Sequence, residues 1–349
     1  MDNFLGEGPF GKNLMSKEII QLNEIEYAWP KKPVVVVCID GGDPEYIDSG
    51  IEDGIIPNIE GFLKNGFYAL AKGSMPSFTC PNNMSIVTGS EPVTHGISGN
   101  FYLDRSTGEP VVMTGPELLR TYSIMSEFSR KGARVVSITA KDKLRRQLQK
   151  GMDLSGGSVS MSSQFADRCT LNENGIEDSL QFVGRPQPEM YSAELSLFVL
   201  DAGIKFLEER RPDILYLSLT DFIQHTHAPG TPVANQFYSD MDARFGRLKE
   251  LDAVVALTAD HGMPSEAGNA WRGRHYTNEV VSTLHDQFDP DGRRVVLFYG
   301  DPADNQIFVD TERAKELGLT LDEMAAYLET LPFISAAFTE TEVAGAMMQ

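Results

Sequence analysis

Five side chains of this 349-residue chain combine oxygen and imidazole donors at points where short apolar runs end. Asp221-Phe-Ile-Gln-His225 sets a carboxylate and a histidine four residues apart, and Asp260-His261-Gly262 sets such a pair side by side. Asp40, at the start of Asp40-Gly-Gly42, adds a further carboxylate. One helical turn between Asp221 and His225 puts both on one face, within reach of one ion. The set holds no thiolate, which suits zinc, manganese or iron. Three carboxylates brought to one rim repel each other unless cations stand between them, and a bound metal is the simplest way to assemble them. Taken singly, each aspartate also fits an ordinary turn or helix N-cap. The combination is what points to metal.

The candidate nucleophile is Thr79, in Met75-Pro-Ser-Phe-Thr79-Cys-Pro81-Asn-Asn-Met-Ser-Ile-Val-Thr-Gly89. This stretch reads as a loop entering a helix, with Pro81 allowed in the first turn. A hydroxyl there faces free backbone N–H groups and the positive end of the helix dipole, a natural place for phosphate oxygens. Contact with a metal would lower its pKa and make an alkoxide available near neutral pH. Taken alone, Thr79 also fits a plain N-cap. Cys80 is a rival nucleophile with nothing basic beside it to favour thiolate. Lys141 and Lys143 offer the extra cations that a small, highly charged anion needs in an acidic protein, or else they form a solvated helix start.

Parallel strands can bring these residues together. Pro33 to Ile39, Ile214 to Thr220 and Ala253 to Ala259 are short β-branched or apolar runs of the kind buried on both faces, and each ends on one of the aspartates. Ala133 to Thr139 is a fourth, running into Lys141 and following a helical stretch from Leu118 to Arg130 closed by Gly132. Helices over Ile59 to Lys64, Pro81 to Thr88, Ala193 to Glu209 and Asn235 to Leu248 fit between the strands. The alternation predicts an α/β fold with a doubly wound, mainly parallel sheet, whose ligands bind beyond the carboxyl ends of the strands. From about residue 266 a Gly/Asn/Arg-rich loop precedes short strands at Arg294 to Tyr299 and Gln306 to Val309, a helix over Leu321 to Thr330 and a last segment at Ile334 to Phe338. The expected organisation is a lead-in over 1–29, a metal-binding core over 30–265 and a smaller α+β cap domain over 266–349.

Lys and Arg number 30 against 50 Asp and Glu, a formal net charge of −20 that repels polyanions and leaves no basic footprint for nucleic acid or an anionic membrane. Three scattered cysteines, Cys38, Cys80 and Cys169, form no Cys-x-x-Cys pair and point to a reducing compartment. The first residues mix charges without an apolar stretch, against a signal peptide, and no run is long enough to span a membrane. A cytoplasmic location is expected, with a homodimer left open.

Together, Asp40-Gly-Gly, Pro-Ser-Phe-Thr79-Cys-Pro-Asn-Asn, His95-Gly-Ile-Ser-Gly-Asn100, Thr139-Ala-Lys141-Asp-Lys143-Leu-Arg-Arg, Thr220-Asp221-Phe-Ile-Gln-His225 and Ala259-Asp260-His261-Gly-Met263 resemble the alkaline phosphatase superfamily, and within it the phosphonoacetate hydrolases. The resemblance runs in order over roughly residues 30 to 265. It implies two Zn2+ ions flanking a threonine nucleophile: Asp40, Asp260, His261 and Thr79 on one, Asp221 and His225 on the other. It further implies Asn100 on a phosphoryl oxygen and Lys141 and Lys143 on a substrate carboxylate. The implied reaction is cleavage of the carbon–phosphorus bond of a small phosphonate through a phosphothreonine intermediate. In that family a further histidine, on a segment returning after the cap, completes the second zinc site; here the chain ends at Met347-Met-Gln349. The expectation is a truncated form or a weak outer site, since His95, His227, His275 and His285 are poorly spaced to replace it. Two alternatives stay open, a nucleotide pyrophosphatase/phosphodiesterase and a catalytically impaired phosphate-binding protein.

Overall fold

The computed structural model describes residues 19–74, 77–104, 106–107, 109–263, 276–289, 296–297, 307–332, 334, 337–339 and 342. At its centre is a five-stranded sheet of β1 (Val34–Cys38), β2 (Val135–Thr139), β3 (Val159–Ser162), β4 (Ile214–Ser218) and β5 (Val254–Thr258), in the order β3-β2-β4-β1-β5. All its pairings are parallel. Thr139 pairs with Ser218, Ser218 with Cys38 and Cys38 with Thr258, so four strands finish at one level.

Helices cover both faces of the sheet around β1, β2 and β4, as their unbroken apolar runs require, whereas β5, expected to be buried on both faces, lies at the edge and stays partly exposed. The helices that bear on the site are α1 (Pro44–Glu52), α2 (Thr79–Thr88), α3 (Asp142–Gln149), α4 (Glu194–Glu209), α5 (Phe222–Thr226) and α6 (Pro232–Glu250). Period-two alternation sends Val35 and Val37 to one side, where Phe198, Phe206, Met241 and Phe245 of α4 and α6 pack. Cys38, Ile214 and Tyr216 join the opposite core with Met84, Val87, Leu144 and Leu148 of α2 and α3. Each such large buried side chain contributes about 1.5–3 kcal/mol by leaving water.

Several elements differ from the sequence expectations. The helix expected over Leu118 to Arg130 begins only at Ile124, because Ser123 and Ser126 form a reciprocal capping box that fixes its start. Ile19–Leu22 and Ile25–Ala28 form a hairpin within the lead-in, with Ile20 buried in the second core. A second hairpin joins Phe101–Asp104 to Glu109–Val112. Further along, a helix spans Tyr276–Phe288, Val296–Leu297 pairs antiparallel with Phe308–Val309, and a helix capped by Thr320 and Glu323 covers Leu321–Glu329. The rest of the strand expected at Arg294 to Tyr299 and part of Ile334 to Phe338 lie outside the described residues. Val280, Leu284, Ala314 and Met324 form a third, small core there. Among the described residues no helix is long and apolar enough to cross a membrane.

Candidate active site

The common strand level gathers the chemistry at one rim. Asp40 and Asp260 each lie two residues beyond Cys38 and Thr258, Lys141 two beyond Thr139, and Asp221 three beyond Ser218. Asp40, Asp260 and His261 each offer a ligand atom within 4.8 Å of the others. Asp40 Oδ1 is buried and accepts no hydrogen bond, although His261 Nε2 lies 3.3 Å away. Asp260 is held on both oxygens: Oδ1 accepts from the backbone N–H of His261 at 3.0 Å and of Gly41 at 3.4 Å, and Oδ2 from Asn83 Nδ2 at 2.9 Å. His261 Nδ1 lies 3.0 Å from the Gly262 carbonyl, and a proton shared there leaves the Nε2 lone pair facing the carboxylates. An orphaned buried carboxylate oxygen beside a second carboxylate and an imidazole fits a divalent metal, and these three residues are able to hold one.

The electrostatics without metal carry the same message. Burial, reinforced by the charge of Asp221, raises the Asp40 pKa, and burial with the charge of Asp40 raises Asp260 well above the usual carboxylate range. For Asp221 burial acts upward as well, but His225 and Lys141 outweigh it and bring the carboxyl below its ordinary value. Asp221 sits at the N-cap position of α5 without capping it. Its Oδ2 meets His225 Nε2 at 2.9 Å and its Oδ1 lies 3.7 Å from Lys141 Nζ, so the expected pair does come together. Among the described residues it forms no three-residue group of the kind at Asp40.

Thr79 is the first residue of α2; Phe78 takes the N-cap position and no side chain caps the helix. The plain N-cap reading of Thr79 therefore does not hold. Thr79 Oγ1 lies instead 3.3 Å from His261 Nε2. Asn100 Oδ1 accepts the Cys80 N–H at 3.1 Å, which anchors its amide against the start of α2 and leaves its NH2 group as a donor. Burial pushes the Cys80 thiol up, only partly offset by the Lys143 ammonium, so the neighbouring cysteine is held neutral. Lys141 is at the N-cap position of α3 and Lys143 in its first turn, half-buried and without an ion pair among the described residues. The other histidines stand apart. His95 is buried, accepts the Ile97 N–H on Nδ1 and meets Ser85 Oγ with Nε2, and burial lowers its pKa to about 4. His227 and His285 do not join the group, and His275 lies outside the described residues.

Two buried residues belong to the arrangement but were not singled out from sequence, Asn83 and Tyr216. Asn83 lies four residues after Thr79, hence on the same helical face, which is the one signal the sequence offers.

Residues 34–332 match the family described as type I phosphodiesterase / nucleotide pyrophosphatase. The chain belongs to that family, within the alkaline phosphatase superfamily. The family's chain in hand is similar to the phosphonoacetate hydrolase of Sinorhizobium meliloti 1021. The complex of that enzyme with phosphonoacetate matches at 38% identity with a TM-score of 0.80, and the complex with phosphonoformate at 40% and 0.79. Each match covers 91% of this chain and 77% of the other. An uncharacterized pyrophosphatase/phosphodiesterase of Schizosaccharomyces pombe is 24% identical over 250 residues, 68% of this chain. This chain spans 46% of the length of that curated relative. The α/β core is that of the alkaline phosphatase superfamily.

Proposed function

We propose that the protein hydrolyses the carbon–phosphorus bond of phosphonoacetate to acetate and phosphate. The observation that carries this reading is the approach of Thr79 Oγ1 to His261 Nε2, 3.3 Å apart, which sets a helix-start hydroxyl against a group able to hold a metal. Similarity to a hydrolase seen with phosphonoacetate and phosphonoformate supports the choice of a substrate with both a phosphonate and a carboxylate.

In this reading Asp40, Asp260, His261 and Thr79 hold one Zn2+, and Asp221 and His225 hold a second. When bound, zinc supplies Lewis acidity, lowering the pKa of a coordinated hydroxyl and offsetting phosphoryl charge. Thr79 Oγ1 loses its proton and attacks phosphorus in line. The bond to carbon breaks, its electron pair goes to the methylene carbon, and protonation there yields acetate and a phosphothreonine. Water then attacks that phosphorus, the bond to Thr79 Oγ1 breaks, and phosphate leaves as the hydroxyl is restored. Asn100, its Oδ1 tied to the Cys80 N–H, gives its NH2 to a phosphoryl oxygen. Lys141 and Lys143 pair with the carboxylate, and the approach of Lys141 to Asp221 leaves it at the same rim. A cytoplasmic setting accords with three free cysteines, and the division into lead-in, core and cap at about residues 30 and 265 belongs to the same reading.

The test is turnover of phosphonoacetate, followed as acetate and phosphate, by the parent and by Thr79→Ala. The variant should lose more than about a thousandfold in rate, roughly 4 kcal/mol of barrier, with its metal content unchanged. Activity within about tenfold of the parent would remove Thr79 from the reaction. A second reading, phosphodiester hydrolysis, draws on the family match itself. Turnover of a nitrophenyl phosphodiester with none of phosphonoacetate would favour it.

A further inference from the structure

Behind the ligand group runs a chain of buried hydrogen bonds that the proposed chemistry does not use. Tyr216, in the middle of β4 and 3% exposed, donates its hydroxyl to Asn83 Oδ1 at 2.8 Å. Asn83 is fully buried, and its Nδ2 donates both to Asp260 Oδ2 at 2.9 Å and to the Thr79 carbonyl at 3.0 Å. One amide thus touches both the residue that carries the candidate nucleophile and a candidate metal ligand.

The orientation of that amide is determined. Reversed, its oxygen would face the Asp260 carboxylate and the Thr79 carbonyl, three acceptors together, whereas the Tyr216 hydroxyl can serve the amide as donor or acceptor. In a buried site such a reversal gives up two hydrogen bonds at once and leaves both acceptors unpaired. Burial keeps the Tyr216 hydroxyl protonated, and with the amide direction fixed by Asp260 and Thr79 it donates to Asn83 Oδ1.

We infer that Asn83 is a positioning residue that fixes Asp260 relative to the start of α2, and that Tyr216 anchors the far end of its amide. The inference rests on the reading of Asp40, Asp260 and His261 as a metal site. Carboxylate ligands held by outer hydrogen bonds present their remaining lone pairs in a fixed direction, and removing such partners typically weakens metal binding about 10–100-fold. Because Asn83 acts on Asp260 and on the backbone of Thr79 together, it also sets the distance between metal and hydroxyl.

The experiment is a Co2+ titration of the full chain, followed by visible absorption, on the parent, Asn83→Leu, Tyr216→Phe and the double variant. Asn83→Leu keeps the volume and removes the amide; affinity should fall about 10–100-fold with a changed absorption envelope. Tyr216→Phe removes one donor and should cost about 3–10-fold, the value of a single hydrogen bond. The double variant should bind within about twofold of Asn83→Leu alone, since without the amide the hydroxyl has nothing to hold. Met84→Leu, a buried change one residue away on α2, serves as a packing control and should leave Co2+ affinity unchanged. Parent-like affinity in Asn83→Leu, or effects of the two single changes that multiply, overturns the inference. A parent chain that takes up no Co2+ overturns the metal reading, and the inference with it.

Discussion

Metal uptake at Asp40, Asp260 and His261 should release protons, and the amount follows from the electrostatics of the site. In the metal-free chain burial works against a charged His261, yet the Asp40 and Asp260 carboxylates outweigh it and push its pKa up to about 10. A metal needs Nε2 as a neutral donor, so the proton has to leave. At pH 7, about three units below that pKa, roughly one molecule in a thousand has the lone pair free, a penalty of about 4 kcal/mol on binding. Affinity should therefore rise about tenfold per pH unit between pH 7 and 9 and level off near pH 10. Uptake at pH 7 should accordingly release about one proton per ion. Folding of the metal-free chain responds in the opposite sense. Because the His261 pKa is raised above its ordinary 6.5, the stability it contributes is complete below that value and is lost as pH rises through about 10. Calorimetric Zn2+ titrations in two buffers of different ionisation enthalpy, repeated at pH 7, 8 and 9, measure both quantities. Release of less than about half a proton per ion, or a Kd constant within about twofold across that range, would mean the imidazole is neutral before metal arrives and would refute the reasoning.

Lys143→Ala should raise KM for phosphonoacetate about tenfold or more, the worth of a charged hydrogen bond, while methylphosphonate turnover changes little; equal losses on both would assign the lysine to the fold or the phosphoryl group. Only Asp221 and His225 meet at the outer site among the described residues, so exhaustive dialysis should leave about one Zn2+ per chain by atomic absorption, with a second binding only at raised zinc. Asp242 of α6 is buried and accepts the backbone N–H of Asn58 at 3.1 Å and of Ile59 at 2.7 Å, together with the Asn58 amide at 2.9 Å. Asp242→Ala strands these donors and should cost about 3 kcal/mol in urea unfolding, with Asp242→Asn recovering part of it and turnover per folded chain unchanged.

The rim was legible because its residues follow the most readable elements. Val34–Cys38 and Ile214–Ser218 are continuous apolar runs that only a doubly covered sheet can bury, and Val254–Thr258 has the same composition although it lies at the edge and stays partly exposed, so the aspartates after them had to converge. Val159–Ser162 escaped notice because Val-Ser-Met-Ser reads as half polar, although all four residues are buried. The two hairpins are built from four-residue strands too short for a period to emerge. In the segment Leu118 to Tyr122 the apolar content of a helix is present without its start signal, which Ser123 supplies later. Asn83 and Tyr216 are a different case. Their meeting depends on which face of β4 packs on α2, a tertiary fact carried by no local pattern.

The shared level of the four strand ends also bears on how the protein can change. The acidic residues hang from β4, β1 and β5, three adjacent strands whose alignment is fixed by the ladder itself. The two lysines enter from the loop and helix after β2, one strand further out. Reaction hardware and recognition surface are thus carried on separate pieces of backbone joined through a rigid ladder. Grafting the β2 loop and the start of α3 from a relative with other preferences should exchange the guest molecule while the hydrolytic apparatus stays in place, whereas inserting a single residue between Cys38 and Asp40 would dismantle it.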